Sequence, residues 1–134
     1  HLLRWQIFNV LAGNSDGHAK NLSLLHLPNG AIRLAPFYDL VCTRAIQRID
    51  SHLAFDVGGE RNPSLIARPH WEAFARQCDI RPRFLIKLVE EMATRLPQVA
   101  VSARTTFEER FGAYPALQRI EQVVIKQCER AIKR

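Results

Sequence analysis

Asn14-Ser15-Asp16-Gly17-His18-Ala19-Lys20-Asn21-Leu22-Ser23 sets an acid, an imidazole, an amine and a carboxamide within ten residues. It follows one apolar segment and precedes another, the arrangement of a functional loop carried on a scaffold. Asp16 and Asn21 stand five apart, matching the D-x-x-x-x-N of a phosphotransferase catalytic loop, in which the Asp handles the acceptor hydroxyl and the Asn holds a magnesium ion. One spacing is a weak signal, so the flanking chain has to supply the other parts.

Upstream, Leu3, Ile7, Val10 and Leu11 fall on the i, i+4, i+7, i+8 stripe of an amphipathic helix over Leu2 to Ala12, with Gly13 as its stop. No cap precedes His1, and the chain opens as if in mid-element; the expectation is that upstream residues have been lost. Downstream, Leu22 to Leu27 and Ile32 to Ala35 read as two short strands joined by Pro28-Asn29-Gly30-Ala31, where Asn-Gly supplies the positive φ values of a tight hairpin turn. A hairpin sets the start of its first strand about 5 Å from the end of its second. Asn21 is thereby expected beside Pro36-Phe37-Tyr38-Asp39, which makes Asp39 the candidate second oxygen ligand for a magnesium ion.

Past Asp39, Leu53 to Val57 reads as an extended segment ending at Gly58-Gly59. The remainder reads as helices over Pro69 to Gln77, Pro82 to Arg95, Pro97 to Phe111 and Pro115 to Lys133, with the prolines in first turns. Phe84, Leu85, Leu88, Val89 and Met92 form one inward face, and Leu117, Ile120, Val124, Ile125, Cys128 and Ile132 another. The expected fold is mainly α (α+β): a helical body of the kinase C-lobe kind, with a small hairpin carrying the catalytic and metal-binding loops.

At 134 residues the chain is sized for a single domain with a real core. The apolar runs are short and broken by charge, which excludes a transmembrane helix, and the N-terminus lacks a signal-peptide layout; the expectation is a cytoplasmic protein. Cys42, Cys78 and Cys128 have neither disulfide-framework nor zinc spacing and read as buried thiols. The net charge is +6, and the first 60 residues balance at five basic and five acidic groups. The basic excess therefore lies in the later helices, facing nucleic acid or an acidic partner, or simply solvent.

Phe8-Asn9, Gly13 through Ser23, and Leu34-Ala35-Pro36-Phe37-Tyr38-Asp39-Leu40, together with Leu53 through Glu60 and His70-Trp71-Glu72, resemble the C-terminal kinase region of HipA-type proteins, the toxins of HipA–HipB toxin–antitoxin modules. The resemblance implies a serine/threonine protein kinase lobe. Asp16 would be the catalytic base or hydroxyl-orienting group, Asn21 a magnesium ligand, and Asp39 the ligand that replaces the Asp of D-F-G. His18 and Lys20 are further catalytic candidates toward the γ-phosphate or the acceptor; a loop-bonded imidazole and a solvated amine are the plain alternatives. The family further implies ATP as phosphate donor, an aminoacyl-tRNA synthetase as protein substrate, a HipB-like helix-turn-helix antitoxin as partner, and operator DNA.

Two departures qualify this. Asn14-Ser15 stands where eukaryotic kinases have His-Arg, and His18 matches the D-x-H-x-x-N of lipid kinases, so a small-molecule or lipid kinase lobe stays open. No glycine-rich phosphate loop and no V-A-I-K-type lysine occurs, and Gly58-Gly59 comes too late to be one. The expected N-terminal nucleotide lobe is thus absent from residues 1-134, and the piece alone is expected to be inactive. The other class of reading is a non-catalytic lobe that binds antitoxin or DNA through its basic helices.

Overall fold

The structure, a computed structural model, describes residues 1 to 133. Four helices and one hairpin follow in the order α1 (Leu2–Ala12), β1 (Leu24–His26), β2 (Ile32–Leu34), α2 (Arg68–Gln77), α3 (Pro82–Phe111) and α4 (Pro115–Lys133), with 3-10 turns at Ala19–Asn21 and Thr43–Ala45. The mainly helical fold with one hairpin is as expected.

Helix α1 is central, not a surface amphipath. Trp5, Gln6, Ile7, Asn9, Val10, Leu11 and Ala12 are all buried; the Asn9 side-chain oxygen has a partner inside, while Trp5 Nε1 and Asn9 Nδ2 have none among the described residues. Around it close Trp71 and Ala75 of α2, Leu85, Leu88, Val89 and Ala93 of α3, Val124 and Cys128 of α4, and Leu53, Val57 and Ile66 from the long connection. Buried Gln127 on α4 donates to the Val10 carbonyl at 3.2 Å, tying α4 to α1. Phe84 and Ile132, expected inward, are exposed: each lies at the outer edge of its helix's apolar stripe, beyond the reach of neighbouring elements.

The hairpin pairs Leu24 with Leu34, Leu25 with Arg33 and His26 with Ile32, shorter than the stretches expected. Its turn also differs. Leu27 is bonded to Ala31, and Gly30 N–H donates back to the Leu27 carbonyl, so the loop is three residues, with Gly30 alone in the left-handed region at φ 81°. Asn29 stays out of that region and uses its side-chain oxygen to accept from Ala31 N–H at 3.0 Å. Leu53 to Val57 forms no strand; Val57 and Glu60 make a single bridge across Gly58-Gly59, both at positive φ. A Cβ at Gly58 would collide with the His70 carbonyl.

The largest correction concerns Pro97. Helix α3 runs 30 residues through it without a break, because proline removes only its own N–H bond while packing against α4 holds both halves in line. Cys78 is exposed and Cys42 half-buried; only Cys128 is buried, where desolvation pushes its thiol up to about 12.

Two outcomes are expected. Pro97→Ala restores the missing N–H and raises unfolding free energy in urea by about 1–3 kcal/mol. A thiol reagent labels Cys78 in the folded chain and Cys128 only after unfolding. Because folding raises the Cys128 value above that of a free thiol, its contribution is whole below about pH 9 and is lost as pH rises toward about 12.

Candidate active site

The site grows out of the end of α1. Gly13 adopts the left-handed conformation at φ 71° and ψ 34°. Its N–H bonds to the Val10 carbonyl while Asn14 N–H reaches the Asn9 carbonyl at 2.8 Å. These are the two bonds of a Schellman cap. A Cβ at Gly13 would also press on Val123 of α4 at 2.7 Å, so glycine serves both the turn and the close approach of α4.

From there the loop is held residue by residue. Asn14 Nδ2 donates to Asn9 Oδ1 at 3.0 Å, and Asn14 Oδ1 accepts from Asp16 N–H at 3.1 Å. Both carboxamides are almost fully buried, at 1% and 2% exposure. Ser15 is clamped on the other side: its N–H donates to Thr43 Oγ1 at 2.8 Å, and its hydroxyl lies 2.6 Å from the same oxygen. Thr43 in turn donates to the Gly13 carbonyl at 3.1 Å. Asn21 Nδ2 then closes the loop by donating to the Asp16 carbonyl at 3.0 Å. Gly17 is required by space, since a Cβ there would run into the Asn9 carboxamide.

With its backbone fixed at both ends, Asp16 turns its carboxylate outward, 65% exposed. His18 is the one ring beside it, with Nε2 at 3.5 Å from Asp16 Oδ1; its Nδ1 is buried without a partner. Lys20 is exposed, and its carbonyl accepts from Tyr38 OH.

The hairpin does bring the second half close. Ala35 N–H donates to the Ser23 carbonyl at 2.8 Å. Tyr38 OH lies 2.9 Å from Ser23 Oγ and donates to the Lys20 carbonyl at 3.2 Å. Lys20 and Tyr38 are the immediate neighbours of Asn21 and Asp39 in sequence, so the two candidate ligands sit one residue on from a direct contact. Asp39 is exposed and left-handed at φ 55°, a conformation Asp tolerates better than most residues.

Asn21 and Asp39 offer an amide oxygen and a carboxylate. With Asn21 Nδ2 engaged at Asp16, its Oδ1 is the free end of the amide. Two hard oxygen donors suit magnesium, which completes its shell with phosphate and water. Among the described residues, no group of three or more His, Cys, Asp or Glu side chains could hold a metal by itself.

Three positioning residues were not legible as such. Tyr38 is 44% exposed and acts through its hydroxyl. Thr43 carries no motif; the available signal for Asn9, quoted above only as part of Phe8-Asn9, was a carboxamide set between Phe8 and Val10-Leu11, where burial calls for a bond.

The family model of the HipA-like C-terminal domain matches residues 1–100. The chain is 33% identical over 97 residues to the serine/threonine-protein kinase toxin HipA of Shewanella oneidensis, covering 72% of this chain and 22% of that protein. It is also 33% identical over 79 residues to the putative kinase Y4mE of Sinorhizobium fredii, covering 59% and 19%. The structure of the Shewanella oneidensis HipA, HipB and operator DNA complex contains a chain that superposes with a TM-score of 0.81 at 27% identity, covering 98% of this chain and 31% of that one. The chain thus spans about a fifth of the curated relatives it matches.

Gly17→Ala is expected to destabilise the fold by about 1–3 kcal/mol through overpacking against Asn9. In an Asn9→Ala background the same substitution should cost clearly less, and a double-mutant cycle in urea measures that coupling.

Proposed function

The chain belongs to the family of HipA-like C-terminal domains, and on that premise we propose that it is the acceptor- and metal-holding lobe of a serine/threonine protein kinase that transfers the γ-phosphate of ATP to a protein hydroxyl. The observation that carries this reading is the loop itself. Its backbone is bonded at Ser15, Asp16 and Asn21, and the carboxylate of Asp16 is left outward and reachable. Phosphoryl transfer asks little covalent help and much positioning, which a rigid loop with one free carboxylate provides.

In the proposed reaction Asp16 accepts or orients the proton of the acceptor Ser or Thr hydroxyl, whose oxygen forms the new bond to phosphorus as ADP departs. His18, beside Asp16, holds the carboxylate's orientation, and Lys20 at the exposed rim faces the phosphate or the acceptor. Asn21 and Asp39 would hold magnesium, which when bound neutralises charge on the transferring phosphate. The nucleotide's remaining contacts belong to another lobe of the whole protein, so residues 1-134 alone are inactive in this reading. A HipB-like helix-turn-helix antitoxin and operator DNA are the proposed partners, supported by the composition of the solved complex of the relative. An aminoacyl-tRNA synthetase is the proposed protein substrate. Among the described residues no helix is long and apolar enough to cross a membrane, which accords with a cytoplasmic site of action.

The test uses the longest natural form of the protein that carries this chain. Asp16→Asn should cut phosphate transfer to a protein acceptor by about 10²–10⁴ while leaving ATP binding intact. Asp39→Ala should weaken magnesium-dependent nucleotide binding as well as transfer. Normal turnover by Asp16→Asn would sink the assignment.

A further inference from the structure

The basic excess of the later chain is not evenly paired. Some of these cations meet carboxylates: Arg68 with Glu72 at 3.1 Å, Lys87 with Glu91 at 4.0 Å, Lys133 with Glu129 at 3.8 Å, and Arg104 with Glu108 at 2.9 Å and with Glu121 of α4. Arg44, Arg119, Lys126 and Arg130 take part in no ion pair among the described residues. Three of these four wall one cavity. It lies between the Thr43–Ala45 turn and α4, has a volume of about 260 Å³, and is lined by Arg44, Arg119 and Lys126 with the carboxamides of Gln47 and Gln122. No acidic side chain lines it.

The fourth cation sits behind. Arg44 Nη2 donates to Ser64 Oγ at 2.9 Å, and Arg130 Nη1 donates to the same oxygen at 3.2 Å. Two guanidinium groups therefore share one neutral hydroxyl. Arg44 Nη1 is buried with no partner, and burial together with the nearby Arg130 charge lowers the Arg44 guanidinium from its ordinary value. Such an arrangement is unfavourable as it stands: like charges converge, and a buried donor lacks an acceptor.

We infer that the cavity between the Thr43–Ala45 turn and α4 is a binding site for a compact phosphate-monoester anion, held by Arg44, Arg119 and Lys126. Arginine forks match phosphate oxygens in bidentate fashion, and lysine adds a point charge. The glutamine amides supply neutral donors at the rim. A concavity of this size seats one phosphate and a few attached atoms, not the width of a duplex. None of these residues belongs to the Asp16 loop, so the site stands or falls separately from phosphoryl transfer.

Calorimetric titration of inorganic phosphate, at ionic strength balanced with chloride, tests this on the longest natural form of the protein. Saturable binding at one site is expected, weakened about tenfold or more by Arg44→Gln, since that removes a charge-assisted bond to the anion. Arg119→Gln and Lys126→Gln, at exposed positions that fold without them, should weaken it too. Arg83→Gln, an exposed cation at the start of α3, should not. Non-saturating heats, or equal affinity in all variants, overturn the site. So does a DNA duplex that binds through the same three residues more tightly than phosphate.

Discussion

Two buried carboxamides at the end of α1 carry the constraint on which the site depends. Asn9 and Asn14 lie almost wholly out of water and bond to each other, side chain to side chain and backbone to backbone. Burying an amide without a partner costs about 1–3 kcal/mol on protein scales; the mutual bonds offset part of that cost, while Asn9 Nδ2 stays buried without a partner among the described residues. That arrangement aims Asn14 Oδ1 at the Asp16 N–H. The helix thus transmits its position to the loop through a chain of bonds, and the glycine at position 17 leaves room for it.

Thr43 does from the far side what Asn9 does from the helix. One hydroxyl meets Ser15 N–H, Ser15 Oγ and the Gly13 carbonyl. The Thr43–Ala45 turn also faces α4, so the loop is braced between α1 and a segment nearly thirty residues later in sequence. In the proposed reading, a loop braced at both ends would lose little further entropy on docking an acceptor, which is where positioning contributes to rate.

What the sequence made legible follows from how local the signals were. The Asp16–Asn21 spacing, the α1 stripe with Gly13 as its stop, and the Asn29-Gly30 turn are all set within a few residues, and the structure has helix, loop and hairpin there. The hairpin also reduced an eighteen-residue separation to a contact, realised between Lys20 and Tyr38. Readings that depended on long-range packing fared worse. Pro97 is a reliable helix breaker only when nothing else holds the two halves, and α4 holds them. Phe84 looked inward because its helix stripe is wide, yet no element covers that edge. Nothing local to Tyr38 marks its hydroxyl as the part that bonds Ser23 and Lys20, because those partners come near only through the hairpin. Thr43 gave no signal because a single threonine gains meaning only from its partners in space.

The exposure of Asp16 and Asp39 completes the physical picture. A carboxylate in open water is well solvated, and the imidazole of His18 is the one side chain recorded in contact with the Asp16 carboxylate among the described residues. Their charges are therefore kept available at a surface, at the cost of the desolvation that any docking group must bring about. A nucleotide with its metal and an acceptor closing over this surface would exclude that water and strengthen every interaction there. In the proposed reading these residues would supply fixed positions and free charge, and the strength of the site would arise when a second surface covered it.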